Sequence, residues 1–146
     1  MVHLVPMTEE EYVGWLGPTI ENYAAEKVRA GNWQPANARA LAERDIRELL
    51  PDGPATAGQH LYAIRAESLA EPVGALWLAY GAGEGRRVAF IYDLVIHEPY
   101  RRRGYAAQAL QAAEDEARRL GAGMIALHVF GHNSAARALY EKAGYR

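Results

Sequence analysis

A basic turn with a glycine stands between an apolar run and an alanine-rich run. The apolar run covers 90–96, three arginines occupy 101–103, Gly104 follows, and small alanines lie at 106–107. If the apolar run is a strand and the alanine-rich run a helix, the first helical turn leaves backbone N–H groups without partners and carries partial positive charge. Gly104 would let a ligand approach the backbone closely. The pattern predicts a phosphate site, and a solvated basic turn is the competing interpretation.

Two blocks of the sequence resemble one family. Arg101-x-x-Gly104-x-Ala106 matches the Arg/Gln-x-x-Gly-x-Gly/Ala pyrophosphate loop of the GNAT superfamily, the acyl-CoA-dependent N-acetyltransferases. The block 133–145 resembles the family's second motif, Asn-x-x-Ala-x-x-Leu-Tyr-x-x-x-Gly-Phe/Tyr, and follows in the family's order. The stretch 23–33 also resembles a subgroup of small, poorly characterised bacterial members. No Gly-Lys-Ser/Thr of a Walker loop occurs in the sequence.

The resemblance implies acetyl-CoA as cosubstrate. Its pyrophosphate would lie on backbone amides of the arginine turn, and its pantetheine arm would run along the end of the preceding strand. An amide at Leu94 or Ile96 would polarise the thioester carbonyl. The residues that the resemblance assigns to CoA are Leu94, Val95, Ile96, Arg101, Arg102, Arg103, Gly104, Tyr105, Ala106, Ala107, Asn133 and Tyr140.

The resemblance also implies catalytic roles. Tyr140 occupies the position of the general acid that would protonate the departing thiolate, with a packed helix tyrosine as the alternative. The attacking amine must be neutral, so a base is useful. His128 matches a position where some relatives carry a glutamate base, although a strand histidine can be purely structural. Asp93 and Tyr92 are alternative bases, and Glu98 is interpreted as a turn residue.

Composition limits the function further. The 146 residues carry 16 Lys and Arg against 18 Asp and Glu, a net charge of −2, which disfavours a nucleic-acid partner. The absence of cysteine excludes disulfides and a cysteine nucleophile. No run reaches membrane-spanning length, so we expect no membrane partner and a cytoplasmic protein. No metal is expected, and a homodimer is compatible with the family.

The hydrophobic pattern predicts a single α/β domain over 1–146, a mixed β-sheet flanked by helices. Thr8 and Glu11 form a capping box before a helix that Pro18 should kink or split. Asn37 is a candidate cap for a second helix with apolar positions Leu41, Ile46, Leu49 and Leu50. We expect strands at 2–5, 61–66, 73–80, 88–96 and 124–130, a hairpin turn at 81–85, a third helix from Gly104 to Leu120, and a last helix from Asn133.

The sequence ends earlier than the family pattern. Family members continue with one or two strands beyond the Gly-Phe/Tyr position, whereas this sequence ends at Arg146, so we expect the C-terminal strand or strands to be missing.

The predicted function is acetyl transfer from acetyl-CoA to a primary amine by direct attack in a ternary complex. A small amine, an aminoglycoside-like compound, an amino acid and a protein amine all remain open as acceptors. A non-catalytic acyl-CoA-sensing module of the same fold is the alternative.

Overall fold

The computed structural model describes residues 1–80 and 88–127. Within these ranges, strands and helices follow one another in the order that the hydrophobic pattern predicts. They are β1 (Val2–Pro6), α1 (Glu9–Arg29), α2 (Pro35–Leu49), β2 (Gln59–Ala66), β3 (Gly74–Ala79), β4 (Val88–Ile96), α3 (Tyr105–Leu120) and β5 (Met124–Leu127), with short 3-10 turns at Gly53–Ala55 and Glu98–Tyr100. The predicted hairpin turn at 81–85 and the last helix lie outside the described residues.

The five strands form one sheet in the order β1-β2-β3-β4-β5. The first three pairings are antiparallel, and β4 pairs with β5 in parallel. A parallel neighbour requires a crossover, and α3 provides it between β4 and β5. The prediction of a mixed sheet flanked by helices is therefore confirmed.

Two apolar cores cover the two faces of the sheet. One core joins α3 to Ile64, Leu76 and Leu78, and the other joins α1 and α2 to Ala75 and Trp77. Neighbours along β3 alternate between the cores because successive side chains of a strand point to opposite faces. Every residue of β3 is buried, so β3 is the centre of the fold.

Helix α1 begins as predicted but is not divided. Thr8 accepts a hydrogen bond from the Glu11 amide, and the Glu11 side chain accepts one from the Thr8 amide, which completes the capping box. Of the two expectations for Pro18, a kink or a split, the split is wrong, since one helix runs from Glu9 to Arg29. A proline removes one helical hydrogen bond, whereas a buried face that extends from Tyr12 to Ala24 holds both halves on the sheet.

Helix α2 begins earlier than predicted. Its N-cap is Gln34 and Pro35 is its first residue, so Asn37 lies inside the helix and is not the cap. Proline suits this position because its missing N–H would lack a helical partner in any case. The buried positions are Ala38, Ala42 and Ile46, while the predicted core residue Leu49 is 38% exposed.

Strands β3 and β4 approach unusually closely at the end of β4. A Cβ on Gly74 would lie 2.0 Å from the carbonyl oxygen of Val95. Farther along the pair, the register shifts between Trp77 and Leu78, whose partners are Asp93 and Ile91, so that Tyr92 is the extra residue of a bulge. These two features determine the course of the last residues of β4.

The substitution Gly74→Ala should destabilise the protein by about 3 kcal/mol, because the new methyl group would force β3 and β4 apart. Urea unfolding followed by circular dichroism would measure this loss. Gly17→Ala is the matched control. A Cβ at Gly17 meets no atom within 4 Å, and alanine should stabilise α1 by up to ~1 kcal/mol. Equal stability of Gly74→Ala and the unmodified protein would contradict the close approach of the strands.

Candidate functional site

A cleft of about 600 Å³ lies between α1 and the neighbouring ends of β3 and β4. Helix α1 contributes one face of side chains at helical spacing, which includes Glu11, Trp15, Pro18 and Asn22. From β4 and the turn that follows it, the lining residues are Asp93, Leu94, Val95, His97 and Arg101. The cleft therefore extends from the first helix to the predicted phosphate turn.

The end of β4 is only partly covered. Leu94, Val95 and Ile96 are all half-buried, so this end of the strand is partly open. Leu94 and Ile96 pack toward the core of α3, and Val95 packs toward the core of α1 and α2. Ile96 does not line the cleft, but its carbonyl oxygen accepts a hydrogen bond from Nε of Arg101 at 2.8 Å.

The backbone direction of these residues follows from their pairing with β3. The amide of His97 donates to the carbonyl oxygen of Val73 at 2.8 Å, and Ile96 and Leu94 lie opposite Gly74 and Leu76. Hydrogen-bonded pairs alternate along an antiparallel ladder, so the N–H and C=O groups of residues 94 and 96 point away from β3, toward the side of β5.

Asp93 places a carboxylate inside the cleft. Nε1 of Trp15 donates to Oδ2 of Asp93 over 3.4 Å, and the backbone amide of Leu94 also donates to this carboxylate. The surroundings are aromatic, since the ring of Trp15 meets the ring of Trp77 edge-on at 5.6 Å between centroids. Burial outweighs the two hydrogen bonds and raises the pKa of Asp93 to about 6.

The other carboxylates of the cleft already have ionic partners. Glu11 pairs with Arg65 at 2.9 Å, and Glu26 pairs with Arg29 at 3.1 Å. The hydrogen bonds found for the Asp93 carboxylate within the described residues come from two neutral donors instead. A carboxylate in such a setting is suited to exchange a proton near neutral pH.

The turn after β4 has the shape expected of an anion site. Arg102 and Gly104 adopt left-handed backbone conformations with φ of 66° and 80°, and Gly104 is the N-cap of α3 without any side-chain cap. Within the described residues, the first amide of this helix found to donate to the backbone is that of Gln108, at 3.2 Å from the Gly104 carbonyl oxygen. The amides of residues 102–107 thus have no backbone acceptor in the described part of the chain, and arginines 101–103 beside them are exposed.

The structure distinguishes among the predicted base candidates. Asp93 lines the cleft, whereas Tyr92 does not and packs against the rings of Trp77 and Phe90 at 5.2 and 6.5 Å between centroids. Glu98 lies in the short 3-10 turn, as predicted for a turn residue. His128, Asn133 and Tyr140 lie outside the described residues.

Helix α1 contributes aromatic and polar side chains to the site. Trp15 and Tyr23 line the cleft, while Tyr12 and Trp33 do not. The polar residues Thr19 and Asn22 also face it and were not predicted. Their spacing along one face of the helix was visible in the sequence, but nothing local showed that this face would meet an open space and not the sheet.

The chain belongs to the acetyltransferase (GNAT) family, whose family model matches residues 18–145. It is 41% identical to the uncharacterized N-acetyltransferase YycN of Bacillus subtilis strain 168 over 145 residues, which is 99% of this chain and 92% of YycN. It is 35% identical to the uncharacterized N-acetyltransferase YdgE of the same strain over 142 residues, which is 97% of this chain and 90% of YdgE.

Solved structures share the fold. The crystal structure of YycN aligns with a TM-score of 0.93 over 100% of this chain and 92% of that chain. The ribosomal-protein-alanine N-acetyltransferase from Brucella melitensis biovar Abortus 2308 aligns with a TM-score of 0.62 at 15% identity, over 100% of this chain and 93% of that chain. At that identity the likeness concerns the fold alone.

No helix in the described part of the chain combines the length and apolar character needed to cross a bilayer.

The raised pKa of Asp93 predicts a pH-dependent stability. The folded protein holds this proton up to pH of about 6, whereas the unfolded chain releases it near the ordinary value of 3.8. Asp93 therefore supports folding at low pH, and that contribution disappears as the pH rises through 6. Asp93→Asn, which does not titrate, should gain on the order of 1 to 3 kcal/mol relative to the unmodified protein between pH 4 and pH 7.5.

Urea unfolding of both proteins at several pH values across this window would test the prediction. The buffers should share one ionic strength, so that the exposed ion pairs contribute equally to each comparison. A stability difference that stays constant with pH would show that the carboxylate titrates normally.

Proposed function

We propose that this protein is an N-acetyltransferase in which a primary amine directly attacks acetyl-CoA within a ternary complex. One observation carries the proposal. A single cleft is lined both by Asp93 and by Arg101, which begins a turn whose amides at 102–107 have no backbone acceptor among the described residues. A base and an anion site on one cleft are what such a transfer requires.

The turn supplies the features that would hold a diphosphate. The amides of residues 102–107 are candidate donors at the start of α3, where the helix dipole favours negative charge. The hydrogen bond from Arg101 to the Ile96 carbonyl ties this turn to the end of β4. We assign to it the residues Arg101, Arg102, Arg103, Gly104, Tyr105, Ala106 and Ala107, and the family resemblance adds Asn133.

The end of β4 would guide the pantetheine arm along Leu94, Val95 and Ile96. The amide of Leu94 already donates to Asp93, so the amide of Ile96 is the better candidate to polarise the thioester carbonyl. A donor aimed at that oxygen stabilises the negative charge that develops on it during attack.

The chemical step needs two proton movements. The amine nitrogen forms a bond to the carbonyl carbon, the carbon–sulfur bond breaks, and Asp93 takes a proton from the nitrogen. The thiolate leaves and gains a proton, for which we propose Tyr140 on the basis of the resemblance. We place Asp93 ahead of His128 as the base, because it lines the cleft and its burial raises its pKa.

A thiol-release assay with a panel of amines would test the transferase assignment against the sensing alternative. Acetyl-CoA with an accepted amine should release CoA thiol in proportion to the amine consumed, and mass spectrometry should show the acetylated product. Coenzyme A binding without turnover on any amine would favour a sensing module. Absence of CoA binding would overturn both functions.

Gly104→Ala should weaken CoA binding at least tenfold. Among the described residues, the added methyl group meets only Nε2 of Gln108, at 3.9 Å, so the affected space is where we place the diphosphate. The strained left-handed φ adds to the loss. Gly121→Ala is the matched control because Gly121 also has positive φ but ends α3, at the opposite terminus of the helix. Calorimetric titration with CoA should show weaker binding only for Gly104→Ala, and equal affinity in both variants would contradict the assignment of the turn.

Asp93→Asn should lower kcat/KM for the amine by about 10²–10⁴-fold, since amide oxygen is a poor base. In the unmodified protein kcat/KM should fall as the pH drops through about 6, and the variant should lose this limb of the profile. His128→Gln is the comparison variant and should retain most activity. The opposite result, loss in His128→Gln and retention in Asp93→Asn, would transfer the role of base to His128.

A further inference from the structure

Pro18 changes the hydrogen bonding of α1 at the cleft. Each interior carbonyl of an α-helix accepts from the amide four residues later. The residue four positions after Gly14 is Pro18, which has no amide hydrogen, so the Gly14 carbonyl lacks its regular donor. Gly14 and Pro18 are both exposed, and both line the cleft.

Gly14 has no side chain that could fill the cleft beside this carbonyl. Within the described residues, a Cβ at Gly14 would meet no atom within 4 Å, so the cleft is open beside the backbone of Gly14. The next residue, Trp15, is the one whose indole donates to Asp93. Helix α1 thus contributes the backbone acceptor at Gly14 to the cleft, and β4 contributes the candidate base Asp93, which bonds to the residue that follows Gly14.

The remaining polar groups of the cleft select the type of ligand. Among the described residues, three carboxylates line the cleft, those of Glu11, Glu26 and Asp93. Two guanidinium groups line it, those of Arg29 and Arg101. Because the carboxylates of this lining outnumber its guanidinium groups, the cleft favours hydrogen-bond donors over anions.

We propose that the carbonyl oxygen of Gly14, released by Pro18, is a recognition site for the acceptor substrate. It accepts a hydrogen bond from a second N–H group of that substrate, apart from the amine that attacks the thioester. The acceptor class is accordingly an aliphatic amine with a further ammonium or N–H donor. This inference rests on the proposed function, because it assigns part of the acceptor site of that transferase.

Three variants separate the hydrogen bond from other effects. Pro18→Ala and Pro18→Val both restore an amide hydrogen that would occupy the Gly14 carbonyl, and valine keeps more of the volume of proline. Gly17→Ala strengthens α1 without adding a donor, and Gly17 does not line the cleft. The probes are 1,4-diaminobutane and 1-aminobutane, which differ in the second nitrogen.

Calorimetric titration in the presence of saturating CoA would give the affinities. We expect the unmodified protein and Gly17→Ala to bind 1,4-diaminobutane more tightly than 1-aminobutane. Pro18→Ala and Pro18→Val should bind the diamine about tenfold more weakly, the loss of one hydrogen bond to a charged group, with little change for the monoamine. Both variants should nevertheless unfold at a higher temperature than the unmodified protein. A merely structural role of Pro18 would also raise the unfolding temperature, but it would leave the affinity for the diamine unchanged.

Unchanged diamine affinity in the Pro18 variants would overturn the inference, as would equal binding of both amines or of neither by the unmodified protein. Equal weakening of both amines in Pro18→Ala but not in Pro18→Val would attribute the effect to side-chain volume and would also overturn it. The titration of CoA alone, made in the same samples, reports separately on the proposed function. Failure of CoA to bind would defeat that function, whereas normal CoA binding with unchanged diamine affinity would defeat only the Gly14 site.

Discussion

The antiparallel pairing of β3 with β4 is the constraint on which the rest of the site depends. The final bond that we observe in it, from the His97 amide to the Val73 carbonyl, determines which backbone groups of β4 face β3 and which face away. The pairing is close enough at Gly74 that no side chain fits beside Val95. As a result, the carboxylate of Asp93 and the turn after β4 occupy fixed positions relative to each other.

Two features of the cleft weaken the fold where they occur. Burial of Asp93 disfavours its charged form, and Pro18 removes a hydrogen bond from the middle of α1. Each would be simple to avoid, since asparagine or alanine would suit the local structure better. Local sequence choices that disagree with stability are expected at functional sites, and here both disagreements border the same cleft.

Features that depend on residues close together in the sequence were predicted, whereas features that depend on contacts between distant parts of the chain were not. The capping box at Thr8 and the turn at Gly104 were predicted because the relevant atoms are neighbours in sequence. Whether α1 continues through Pro18 or divides there stayed open in the sequence, since contacts with the sheet decide whether one lost hydrogen bond is tolerated. Asp93 ranked below His128 for the same reason. Its raised pKa arises where α1, β3 and β4 meet, and no spacing along the chain shows that meeting.

The central claim is that a diphosphate on the amides of 102–107 directs a thioester into the cleft beside Asp93. A crystal structure of the protein with acetyl-CoA, or with CoA and an amine, tests it most directly. We predict density for the diphosphate at the start of α3 and the CoA sulfur on the face of β4 that carries Asp93. A diphosphate bound elsewhere, or a sulfur on the opposite face of the sheet from Asp93, would contradict the account.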